Sequence, residues 1–173
     1  MSRTAARGHA FKLIFMFEFL HSDQDEVFEN YLSDFAQDIN EYDRGVIYDE
    51  FIGVYENLSE IDAMINECSR WSFSRLNKVD LSLIRLAVYE LSYEKNKPPV
   101  VIKEIVDLAN RYGTKKSPGF VNGILASIVM KIKNSGYEDS DDNSDDNSDD
   151  DSNDNIDEDT DNNSELWDCD DYY

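Results

Sequence analysis

Residues 79–94 (VDLSLIRLAVYELSYE) carry Leu83, Ile84, Ala87, Val88 and Leu91 at helical spacing, an apolar face too broad for a helix with one side in water. Such a helix has to be surrounded by others. The chain is therefore expected to be all-α, a compact bundle with this helix at its centre. Asp80 is the expected N-cap, with Val79 and Ile84 placed to form a hydrophobic staple. Lys95-Asn96-Lys97-Pro98 should end the helix, because proline bars its predecessor from helical geometry, and Pro99 can open the next one.

The second constraint is residues 113–125, GTKKSPGFVNGIL. Gly113 follows the apolar-periodic run 100–112 and suits a left-handed position just past a helix end, while Ser117 and Pro118 fit an N-cap and a first turn. Two helices should meet there at a short corner. It carries Lys115 and Lys116 beside a helix N-terminus whose N–H groups attract phosphate, with Phe120 one turn on. Cations, donors and an aromatic face together suit single-stranded nucleic acid, although an aromatic at the spacing of Phe120, four residues before Ile124, is more often core than a stacking platform. Gly123 lies mid-pattern at a cost of about 1 kcal/mol against alanine, which fits either close backbone approach or a merely tolerated glycine.

Apolar periodicity predicts further helices over residues 4–20, 25–39, 43–58 and 60–68, giving about seven in all. In the first, Ala6, Ala10, Leu13, Ile14, Phe17 and Phe19 form the inner stripe, and Ser2 or Thr4 can cap it. Arg3 and Arg7 are four apart, so they share a face of its first turn and could straddle one phosphate, or they could be ordinary surface arginines. In the third, Val46, Ile47, Phe51, Val54, Tyr55 and Leu58 make a core stripe. Trp71, Phe73 and Leu76 read as a packed connector.

Charge divides the chain. Residues 138–173 hold eighteen of the thirty-eight acids and none of the sixteen Lys and Arg, so the first 137 residues carry sixteen bases against twenty acids. The overall charge of −22 thus belongs mostly to a low-complexity Asp/Asn/Ser tail, expected to be disordered, and does not argue against RNA binding by residues 1–137. Residues 12–68 contain two bases and fifteen acids, and residues 69–137 twelve bases and five acids, so an acidic and a basic side are expected. The sequence around Asp141, Asn143 and Asp145 lacks the glycine and the final glutamate of a calcium loop. His9, His21, Cys68 and Cys169 assemble into no recognisable catalytic or metal-binding arrangement, so no enzyme, cofactor or metal is expected. No apolar run is long enough to span a membrane, and Arg3 and Arg7 precede a helical pattern rather than a secretory cleavage site, so a cytoplasmic location is expected.

With residues 79–91 and the Pro98-Pro99 helix start, FVNGIL at residues 120–125 resembles the transcription antitermination factor NusB family, and the resemblance runs from about residue 3 to 133. It implies an all-helical domain over residues 1–137 that binds boxA RNA together with NusE, the ribosomal protein that doubles as an elongation factor, within an elongation complex holding other Nus factors. It also implies RNA contacts at Arg7 and Phe120, and a partner face using Phe15 and Asp80. The chain lacks the Gly-rich loop and the length of the methyltransferase that carries a NusB-like domain. A protein-interaction module without RNA binding stays open. If eighteen tethered acids compete with RNA for Lys115, Lys116, Lys131 and Lys133, truncation after Tyr137 will tighten RNA binding at about 50 mM salt, and less so as screening rises. Equal affinities would mark the tail as inert.

Overall fold

The computed structural model describes residues 1–20, 23–69 and 76–135. The expectations for His21, Trp71, Phe73, Cys169 and the tail lie outside these residues. Seven helices follow one another: α1 Arg3–Phe17, α2 Gln24–Phe35, α3 Glu41–Glu56, α4 Leu58–Cys68, α5 Lys78–Ser92, α6 Pro98–Tyr112 and α7 Ser117–Asn134. No strand occurs among the described residues.

Short polar side chains start most of them. Ser2 Oγ accepts the Ala5 N–H at 3.2 Å, Asp23 accepts those of Asp25 and Glu26, and Asn40 Oδ1 accepts that of Asp43 at 2.9 Å. In α5 the cap is Asn77, whose Oδ1 accepts the Val79 N–H at 3.0 Å. Asp80, expected there, sits one turn inside the helix and is 1% exposed. The cap lies three residues earlier, so the staple positions move to Leu76 and Leu81, both buried. α6 opens on Pro98 and Pro99, as expected, after Lys97 in extended geometry.

α5 packs against α1, α3, α4, α6 and α7. Eleven of its fifteen residues are buried, so the broad apolar face does mark the central helix. The surrounding helices supply Leu13, Ile14, Ile47, Phe51, Val54, Ile61, Ile65, Val101, Ile105, Val121, Leu125 and Ile128 to the same core. Phe19 departs from the expected stripe: α1 stops at Phe17, and Phe19 is 59% exposed beyond it. α2 also ends four residues short of Ile39.

Gly53 faces a side chain of α5. A Cβ there would overlap the far end of the Tyr89 ring, so α3 lies close against α5 at this point. Gly123 has open space where its Cβ would be, and close backbone approach does not occur there within the described residues.

Candidate nucleic-acid interface

The corner between α6 and α7 is built by its own short side chains. Gly113 has φ −91° and ψ −165°, an extended rather than left-handed conformation, so another reason must account for glycine. A Cβ at 113 would come within 2.5 Å of the Ser117 side chain and 2.7 Å of the Ala109 carbonyl oxygen. Ser117 is not the N-cap but the first residue of α7, and it is buried. Its Oγ accepts the Thr114 N–H at 2.9 Å and shares a hydrogen bond with the Thr114 hydroxyl at 3.1 Å. Lys116 donates its N–H to Thr114 Oγ1 at 3.3 Å, and Ser117 donates its own to the Thr114 carbonyl at 3.1 Å. With Pro118 lacking a donor, the helix start offers fewer N–H groups to an anion than expected.

What the corner presents outward is cationic. Thr114, Lys115 and Lys116 are exposed, Arg111 is exposed on the last turn of α6, and Phe120 is half-buried, resting one side against the core. Both readings of Phe120 are thus partly satisfied. The aromatic is anchored by packing and retains some exposed surface.

Two side-chain contacts join α1 to α6, the later residue of α1 meeting the later residue of α6. Arg7 Nη1 lies 3.7 Å from Glu104, and the Phe11 and Tyr112 rings are 5.2 Å apart. The far half of α1 therefore points towards the corner. There Phe11, Phe15 and Phe19 form a ladder with ring spacings of 6.3 and 5.2 Å, joined through Phe11 to Tyr112. His9 Nδ1 hydrogen-bonds the Tyr31 hydroxyl at 2.7 Å on the neighbouring face of α1. The sequence reasoning missed the ladder, although the four-residue spacing of Phe11, Phe15 and Phe19 was its signal.

Arg3 and Arg7 do not share an exposed face. Arg7 is 3% exposed, and its guanidinium forks onto Glu90, with Nε 2.5 Å from Oε1 and Nη2 2.6 Å from Oε2. Burial disfavours its charge, but the Glu90 hydrogen bonds together with the charges of Glu90, Glu50 and Glu104 outweigh burial and hold it protonated. Its partners lie on α5 and α6, so the side chain clamps α1 to both, where a phosphate contact had been expected. Arg3 is exposed and pairs with Glu94 at the opposite end of α1 from the corner, about 12 Å back along the axis from Phe11. The structure brings Lys115, Lys116 and Phe120 together and sets Arg3 apart.

Phe15 is half-buried within the ladder, and Asp80 is sealed inside the first turn of α5. These two elements meet where Glu18 pairs with Lys78 at 2.9 Å and with Arg85, which also forks onto Asp62 at 2.8 and 2.9 Å. Only Phe15 of the two expected partner residues reaches the surface. Exposed acids, among them Glu26, Glu29, Asp38, Glu41, Asp49 and Glu56, gather on α2, α3 and the turn between them. No group of three or more metal-ligating side chains occurs among the described residues, and no described helix is long and apolar enough to cross a membrane.

The profile of the NusB family matches residues 4–130. The transcription antitermination protein NusB of Acetivibrio thermocellus is 40% identical over 146 residues, an alignment covering 82% of this chain and 99% of that protein. Among solved structures, T. maritima NusB superposes with a TM-score of 0.69 at 36% identity, over 76% of this chain and 92% of that one. A crystal structure of antitermination factors NusB and NusE in complex with dsRNA gives a TM-score of 0.69 at 28% identity, over 75% of this chain and 96% of that one.

Proposed function

This chain belongs to the NusB family, and on that premise we propose that it is a transcription antitermination protein binding boxA-like RNA together with a NusE-type ribosomal protein during rRNA transcription. It acts by binding and not as an enzyme, needs no cofactor, and works in the cytoplasm among the other Nus factors of an elongation complex. The observation that carries the RNA role is the α6–α7 corner, where Lys115, Lys116 and Phe120 share one exposed, internally braced turn. Lysines there neutralise phosphates without reading sequence, and an anchored aromatic gives an unpaired base a surface to stack on. Arg3 adds a cation at the other end of α1. Arg7 contributes from beneath, by fixing α1 against α5 and α6. The partner surface is the Phe15–Phe19 end of α1, with Asp80 supporting the neighbouring start of α5 from inside.

The test is binding of a short boxA RNA, single- and double-stranded, with and without the NusE-type protein, across a salt series. Lys116→Glu is expected to weaken binding of every RNA and to reduce the salt slope by about 0.7 for each single-strand phosphate that the variant no longer neutralises. Phe120→Ala is expected to cost about 1–3 kcal/mol of affinity for the single strand, with circular dichroism confirming that the helices persist. Unchanged RNA affinity in both folded variants would remove the corner from the RNA surface. No RNA binding by the wild type under any of these conditions would leave a protein-interaction module as the better reading.

A further inference from the structure

Glu50 is a carboxylate whose burial neither the core nor the corner explains. It lies on the inner face of α3, fully buried, and neither of its oxygens has a hydrogen-bond partner. Its surroundings are ionic. From α1 come Arg3, with Nη2 3.4 Å from Glu50 Oε1, and Arg7; from α5 come Glu90 and Tyr89, and from just beyond its end Glu94. Arg7 is already forked onto Glu90, and Asn96 Nδ2 bridges Glu90 and Glu94 at 3.1 and 2.7 Å. Of the two arginines, only Arg3 has an exposed side chain, and its Nη2 is shared between Glu50 and Glu94.

An exposed arginine cannot serve a phosphate and a sealed carboxylate at once. We propose that RNA binding is coupled to proton uptake at Glu50: when a phosphate draws Arg3 away, the buried carboxylate loses its nearest cation and takes a proton from solvent to become a neutral acid. The coupling rests on the RNA role proposed above for Arg3. Burial pushes Glu50 up to about 8, with Glu90 and Glu94 adding to the shift and Arg3 and Arg7 opposing it. Losing Arg3 therefore moves the group further up. The sign follows: below about pH 8 Glu50 is protonated with or without RNA, whereas above it the complex holds a proton that the free protein lacks. RNA affinity then falls as pH rises past about 8, by up to about tenfold per unit.

Calorimetric titration of boxA RNA into the full chain at pH 8, in two buffers of different ionisation enthalpy, reads the linked proton directly. Wild type is expected to take up about half a proton more than Glu50→Gln, which mimics the neutral acid. Taking the difference between variants removes the titration of RNA bases and lysines. Equal uptake by two RNA-binding variants would overturn the coupling. A second measurement needs no RNA: the Glu50 side-chain carbon-13 shift should titrate near pH 8 in wild type and at higher pH in Arg3→Ala. An unmoved midpoint overturns the coupling by itself. RNA that binds neither variant would contradict the proposed function instead, and the carbon-13 midpoints would still decide whether Arg3 controls the proton.

Discussion

Arg7→Ala is expected to lower the unfolding free energy by about 3–5 kcal/mol, measured by urea denaturation. Glu90 is fully buried and receives both arms of the Arg7 guanidinium, so the substitution leaves a charge in the core with the Asn96 amide at 3.1 Å as its remaining side-chain donor. The large figure reflects that stranded carboxylate more than the net worth of the pair, since a buried ion pair repays little beyond its own desolvation. Adding Glu90→Gln to Arg7→Ala should therefore recover a substantial part of the loss. Arg7→Lys should fall between wild type and Arg7→Ala, because an ammonium cannot donate in the planar fork that Glu90 accepts. A surface arginine reserved for phosphate would behave otherwise: its loss would cost well under 1 kcal/mol of stability and register only in RNA affinity.

Leu83→Ala should cost about 2–5 kcal/mol by the same measurement, for a different reason. Leu83 is fully buried on α5, with α1, α3, α4, α6 and α7 all packed around that helix, so no single neighbour can collapse into the space left behind. The loss combines the side chain's transfer free energy with an unfilled cavity. A change below about 1 kcal/mol would mean that α5 is not the rigid centre of the bundle.

Whatever local spacing encodes was readable in the chain. α5 shows an apolar face too broad for a surface helix, Pro98 and Pro99 fix where α6 begins, and the periodicity of Ile47, Phe51 and Val54 survives as a core stripe. Errors arose where two local signals competed. Asn77 and Asp80 are both good caps three residues apart, and nothing nearby says which starts the helix; Gly113 and Ser117 both fitted familiar terminal roles, yet their proximity across the corner sets both conformations. The two glycines follow the same logic. Gly53 faces Tyr89, thirty-six residues away, whereas Gly123, the one that stood out in sequence, meets nothing.

The buried charges were the least legible part. Arg7 and Glu90 stand eighty-three residues apart, and Arg85 finds Asp62 and Glu18 on two other helices. Local patterning treats a charged residue as a surface residue, so it makes Arg7 a phosphate ligand and gives no sign of Glu50. Such groups become core only through partners brought together by tertiary packing.

The central claim is that RNA meets this chain at the α6–α7 corner, and backbone amide shifts recorded as boxA RNA is added to the full chain test it most directly. The largest changes are expected at Thr114, Lys115, Lys116, Phe120 and Val121, with a second set at the start of α1 around Arg3. Changes confined to the acidic surface of α2 and α3, with the corner unmoved, would contradict it.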